Sequence, residues 1–311
     1  MQTFGIGLAG MGNVGTGVFK HLTQNRALLR ERLGYELAVR RVAVRDVEKN
    51  RGVEIPRELL TTDAQSLLDD PGIHMVVELI GGKEESLRLM LGAIERKKIV
   101  VTGNKALLAE RGKEIFEAAF AHKVPVFFEA AVGGGIPIIK SIREAFIGNH
   151  IQSIHGIVNG TSNYILTRMT EAGMGFSEAL AEAQAAGYAE ADPSLDVNGG
   201  DAAHKAIILA SLAYGFWVPE GNVFVEGIEK LTASDIQFAR KMGYRIKLLA
   251  TIKAHEDGAG IEVRVHPTLI PETHVLASVN GVFNAMAVRG DVVGETLFYG
   301  KGAGQDATAS A

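Results

Sequence analysis

Apolar residues fall in short blocks separated by polar stretches of helical spacing. Residues 3–9 (TFGIGLA) form an apolar run ending in glycines, the pattern of a buried strand. From 13 to 30 the apolar positions Val14, Val18, Leu22 and Leu28 recur at helical intervals. Residues 37–44 (LAVRRVAV) are β-branched and apolar, and charge takes over at Arg45. The pattern then repeats: strand over 74–80, helix over 84–97, strand over 99–102, helix over 106–121, strand over 124–128. Strands alternating with helices at this spacing predict βαβ units and a mostly parallel, doubly wound sheet.

The character changes at 131–137 (AVGGGIP), where a glycine run followed by proline predicts a joint between domains. Helices are predicted over 137–147, 163–172, 177–186, 201–214 and 232–244, with a strand over 151–158. The last stretch alternates without helices over 247–254, 261–266, 283–289 and 292–299, which predicts an antiparallel sheet. The expected organisation is an α/β unit over 1–135, to which 300–311 returns, and an α+β unit over 136–299.

Composition narrows the classes. A chain of 311 residues with 47% hydrophobic content can fill two cores. Thirty-two basic residues stand against 36 acidic ones, and the basic ones are scattered. No nucleic-acid footprint is expected from such a balance. The absence of cysteine excludes disulfides, thiolate metal sites and cysteine nucleophiles. The N-terminus lacks the basic region and long apolar core of a signal peptide, and no run nears the roughly 20 apolar residues of a membrane span. A soluble cytoplasmic protein is the expectation. His21, His74, His122, His150 and His155 lie apart with no metal spacing.

Two constellations carry candidate chemistry. Gly10-Met11-Gly12-Asn13-Val14-Gly15 fits G-x-G-x-x-G between a predicted strand and a predicted helix. The first glycine makes the turn, the second admits a pyrophosphate, and the third lets helix and strand pack closely. The phosphates would rest on the free N–H groups of the helix start. Past the second strand stand Arg45, Asp46, Lys49 and Arg51. Arginine there suits the 2′-phosphate of NADP, so NADP is expected, with NAD as the alternative. The second constellation is 183–205 (AQAAGYAEADPSLDVNGGDAAHK), with Glu190, Asp192, Asp196 and Asp201 leading to Lys205. Asp201 and Lys205 are four apart and share a helix face. One reading is an exposed ion pair at a helix start; the other is a site that holds an ammonium group and moves a proton.

This stretch resembles the homoserine dehydrogenase family: Ala183, Gly187, Asp192-Pro193, Asp196, Gly199, Asp201 and Lys205 fall at the family spacing. Residues 102–108 (TGNKALL) resemble a second family segment, with Gly103 where alanine is usual. Residues 128–137 resemble its hinge, and 156–164 (GIVNGTSNY) its substrate-domain strand and turn. The resemblance implies a Rossmann nucleotide-binding domain and a substrate and dimerisation domain. It implies reversible reduction of L-aspartate 4-semialdehyde to L-homoserine, a step toward threonine, methionine and isoleucine. Lys205 would be the acid/base; an unperturbed lysine, at about 10.4, is a poor base at neutral pH, so either its value is lowered or its part is mainly that of an acid. Lys105 would be a second cation on the developing alkoxide, near the nicotinamide.

The same resemblance makes Glu190, Asp196 and Asp201 the substrate carboxylates, with Tyr188, Gly160 and Thr161 beside them. Gly187, and Gly302 or Gly304, would approach the cofactor, although Lys301 stands where the family usually has proline. It also implies a monovalent cation, sodium, on Glu129, Val132, Gly134 and Ile136, mostly through backbone oxygens. A homodimer is implied, and the strand-rich 247–299 offers a sheet to pair. The chain stops at Ala311, where the family continues into a helix packing on the nucleotide domain; many relatives then carry an ACT regulatory domain. Neither is expected within this chain. The alternatives are another Rossmann dehydrogenase of a small amino-acid aldehyde or alcohol, and a nicotinamide-binding regulator without catalysis.

Overall fold

The computed structural model describes residues 2–255, 258 and 260–311. They form two units, one running to Gly135 and completed by Gly304–Ala311, the other spanning Ile136–Ala303. The first holds β1 (Thr3–Ala9), β2 (Glu36–Ala43), β3 (Leu60–Thr61), β4 (Met75–Glu78), β5 (Ile99–Thr102) and β6 (Val126–Phe127). These make one parallel sheet in the order β3-β2-β1-β4-β5-β6. The order turns back between β1 and β4, so the two chains leaving those strands diverge and open a crevice at their carboxyl ends. Ile6, Leu8, Phe19, Val42 and Val77 form its core, where apolar burial supplies the main stabilisation.

The helix predicted over 13–30 is two helices, Asn13–Gln24 and Arg26–Leu33, parted at Asn25. The second piece buries no residue, and Leu28 is 43% exposed. Leu28 is therefore not part of the apolar stripe that the spacing suggested. The closing residues hold a helix that the apolar spacing does not predict. Gln305–Ser310 is a helix lying against Asn13–Gln24, with Gln305 donating to the Asn13 carbonyl at 2.9 Å and His21 meeting Asp306 at 3.1 Å. This short element packs closely because Gly17 leaves room for it: a Cβ there would lie 2.8 Å from the Ala309 methyl.

The second unit contains β7 (Ile151–Ile157), β8 (Phe224–Val225), β9 (Tyr244–Ala254), β10 (Ile261–Pro271), β11 (Phe283–Gly290) and β12 (Gly294–Lys301). Their order is β12-β11-β7-β9-β10-β8. All pairs are antiparallel except the short β8 beside β10. The helices Gly160–Ala172, Gly200–Tyr214 and Ala233–Lys241 pack on this sheet. Helix Gly200–Tyr214 is buried along most of its length, from Asp201 through Ser211. The predicted helix over 137–147 is one α turn, Ile138–Lys140, continued as a π turn, Ser141–Ala145. No helix among the described residues is long and apolar enough to cross a membrane.

Candidate active site

In the first unit the glycine loop sits at the carboxyl end of β1. Gly10 has φ +95°, and a Cβ there would lie 2.4 Å from the Leu79 carbonyl oxygen. A Cβ on Gly15 would lie 2.1 Å from the Gly10 carbonyl oxygen. Both positions therefore admit only glycine. Gly12 differs: it caps helix Asn13–Gln24 without a side-chain bond, and a Cβ there would meet nothing within 4 Å. Open space thus lies over N–H groups that the helix cannot satisfy itself, a cradle that fits a pyrophosphate. Met11 is buried, Val14 half-buried and Asn13 exposed.

Around that loop, Arg45 is exposed two residues past β2. Arg51 instead closes its own loop, donating to the carbonyls of Lys49 and Asp46. Lys105 opens helix Lys105–His122, directly after Asn104, whose side chain accepts the Leu107 N–H at 3.2 Å. Gly304 is open at φ +121°. The hinge begins with a 3₁₀ turn, Glu129–Ala131, followed by buried Val132 and two left-handed glycines, Gly133 (φ +75°) and Gly134 (φ +52°). Among the described residues no cluster of three or more His, Asp or Glu side chains could hold a metal. The backbone carbonyls of that turn, with the Glu129 side chain, offer oxygen donors, a chemistry suited to a hard monovalent cation.

The second unit brings most of the predicted substrate residues together. Lys205 is buried on helix Gly200–Tyr214, and its Nζ donates to the Asp201 carboxylate at 2.7 Å and the Val158 carbonyl at 2.6 Å. The pair that spacing allowed as a solvated ion pair is thus buried on both sides, with Asp201 3% and Lys205 8% exposed. A buried charge without a partner costs several kcal/mol, so the two side chains depend on each other. Asn159 joins the network: its amide donates to Asp201 at 2.8 Å and Asp196 at 2.7 Å. Its oxygen accepts the Ser162 N–H at 2.8 Å and so caps helix Gly160–Ala172. Gly160 is required there, since a Cβ would lie 2.8 Å from the Val282 carbonyl oxygen. Thr161 donates to the Tyr188 carbonyl at 2.8 Å, tying the Gly187-Tyr188 turn to the same helix start.

The acidic loop divides its work. Asp192 accepts the Ser194 N–H at 3.1 Å, and hydrogen bonds from the Ser194 side chain and then its backbone hold the carboxyl below its usual range. Asp192 therefore shapes the turn. Glu190 is exposed and stands apart from the Asp196–Asn159–Asp201 network. Asp201 is turned toward Lys205 and Asn159, which both donate to its Oδ2. Gly187 (φ +75°) ends helix Phe176–Ala185 in the left-handed region with open space around it. Gly302 is explained by packing, because a Cβ there would lie 2.0 Å from the Asn284 amide. Ile136 is buried, and its carbonyl accepts the Ile138 N–H at 2.8 Å. Asn159 escaped the sequence reading. Its signal was an asparagine directly before a helix start, the usual N-cap.

Two family models match the chain: "Homoserine dehydrogenase, NAD binding domain" over residues 10–129 and "Homoserine dehydrogenase" over 137–311. A homoserine dehydrogenase of Synechocystis is 52% identical over 312 residues, covering 100% of this chain and 72% of the relative. The crystal structure of a homoserine dehydrogenase from Thiobacillus denitrificans superposes with a TM-score of 0.95 at 49% identity, covering 100% of this chain and 71% of that one. A hyperthermophilic archaeal homoserine dehydrogenase in complex with NADPH gives 0.82 at 27% identity, covering 99% and 95%.

Proposed function

The chain belongs to the homoserine dehydrogenase family, and on that premise we propose how its residues divide the reaction. The reaction is the reversible reduction of L-aspartate 4-semialdehyde to L-homoserine with a nicotinamide cofactor. When bound, the nicotinamide supplies the hydride for the aldehyde carbon.

One observation carries the assignment: the buried Lys205 ammonium is aimed by Asp201 and the Val158 carbonyl. Two of its three hydrogens serve these acceptors. The third passes to the substrate carbonyl oxygen as that oxygen becomes an alkoxide. Asp201 supplies the counter-charge and the direction. In homoserine oxidation the same nitrogen takes the hydroxyl proton back. Lys105, at the first position of its helix, is the second cation on the alkoxide. Glu190, whose carboxylate is exposed, takes the substrate ammonium. Asp196 backs it through Asn159, and Tyr188 with the Gly160-Thr161 turn lines the substrate.

Gly10–Gly15 holds the pyrophosphate, and Gly187 and Gly304 leave space for the cofactor. Arg45 favours NADP through its position beyond β2; the archaeal relative's NADPH complex supports this choice. The backbone of Glu129, Val132 and Gly134 suits sodium, which should raise the thermal midpoint where lithium and choline do not. A homodimer fits β12, which bares Leu297 and Tyr299; sedimentation as a monomer at micromolar concentration would exclude it. Cytoplasmic residence completes the reading. The test is turnover of aspartate semialdehyde with NADPH, read as falling absorbance near about 340 nm, a property of the reduced cofactor. Folded protein that binds both compounds and converts neither would overturn it.

A further inference from the structure

Glu78 is a carboxylate with no exposure at all, placed at the last position of β4. Its Oε1 accepts the Ile80 N–H at 3.0 Å and the Ser86 hydroxyl at 2.9 Å. Its Oε2 accepts the Thr102 hydroxyl at 2.7 Å, across the sheet at the end of β5. Thr102 Oγ1 in turn accepts the Asn104 N–H at 3.0 Å. The Asn104 amide donates to the Gly82 carbonyl at 2.7 Å, and its oxygen caps the helix that starts at Lys105. The ring closes: the turn after β4, with left-handed Gly81 and Gly82, is tied to the turn after β5 through one buried carboxylate. Burying a carboxylate is costly, and packing alone would be served by an apolar residue. What the carboxylate adds is a fixed register between two loops at the carboxyl edge of the sheet. The residue that this register places is Lys105.

We propose that Glu78 is a positioning residue for the reaction, acting through Thr102 and Asn104 to set where Lys105 stands. The proposal rests on the reading of Lys105 as the second cation. Glu78→Gln keeps the shape and removes the charge. Its amide then faces the Thr102 hydroxyl, which must turn its hydrogen away. Thr102→Val removes the same link from the other side, and Thr102→Ser keeps it.

The experiment measures kcat, cofactor Kd and thermal midpoint for E78Q, T102V, T102S, K105A and the double variant E78Q/K105A. E78Q and T102V should each lower kcat about tenfold to a hundredfold, the scale of a misplacement near 1 Å. T102S should recover most of what T102V loses. E78Q should add no further loss to K105A, since its effect passes through that lysine. A merely structural role would lower the midpoint and leave kcat at permissive temperature untouched, which overturns the proposal. So does an E78Q loss of equal size in the K105A background. Should E78Q fail to fold, T102V and T102S in the presence and absence of Lys105 carry the same comparison. If K105A keeps wild-type kcat, the role of Lys105 itself is overturned. If K105A loses kcat while E78Q and T102V keep it, only the positioning is.

Discussion

Arg45 stands exposed beyond β2, while Arg51 is occupied by the carbonyls of its own loop. The proposed choice of NADP therefore rests chiefly on the Arg45 guanidinium. Arg45→Ala should lower kcat/KM for NADPH about tenfold to a hundredfold and leave that for NADH within a few-fold, the value of one charge-assisted contact to a phosphate. Equal losses with both cofactors would contradict the assignment. Lys247 is a second buried ammonium, 3% exposed and bonded to the Val279 carbonyl, Asn163 and Asn280. Burial pulls it down to about 8. The folded protein releases this proton near pH 8 and the unfolded chain near its ordinary value of about 10.4. Between those limits the unfolded state binds more protons, so this group's contribution to stability rises with pH. Below pH 8 its buried charge costs about 3 kcal/mol. Urea unfolding of wild type and Lys247→Met from pH 7 to 10 should show wild type gaining on the variant; a constant difference would refute it. Residue spacing was enough to pick out Asp201 and Lys205, because four positions on a helix fix a shared face. It could not reveal that the face is buried or that Asn159 bridges two carboxylates 37 and 42 residues away. Glu78 was hidden for the same reason, since a single charge in an apolar strand acquires meaning only from its partners across the sheet.

Among the elements, the long strands and helices could be read from periodicity, since each buries one face. The two-residue strands β3 and β8 could not, because so short a run has no period and exists only through its neighbours; β6 is the two-residue centre of the strand predicted over 124–128. Helix Gln305–Ser310 was missed likewise: six residues hold as a helix through tertiary contact rather than propensity. That contact depends on Gly17, where a side chain would meet Ala309 and Gln305. Gly17→Leu should dislodge the terminal helix, lower stability by about 1–3 kcal/mol and expose 305–310 to protease. Unchanged midpoint and protease resistance would show that the helix does not rest on that close approach.

For the whole molecule, the division into a parallel and a mostly antiparallel sheet followed from whether helices interrupt the strands. The parallel pairing of β8 with β10 is the exception. Each sheet carries its own part of the proposed machinery. The first carries the glycine cradle, Arg45 and Lys105 at its strand ends; the second carries the Lys205 network on a helix laid over it. Everything chemical in the proposal converges on the proton that Lys205 delivers. The most direct measurement is kcat for aspartate semialdehyde reduction by wild type and Lys205→Ala, with NADPH affinity measured alongside. Loss of an acid/base group should lower kcat about a hundredfold to ten-thousandfold and leave cofactor Kd near wild type. A variant that keeps its kcat within a few-fold, or loses cofactor binding instead, would contradict the role given to Lys205.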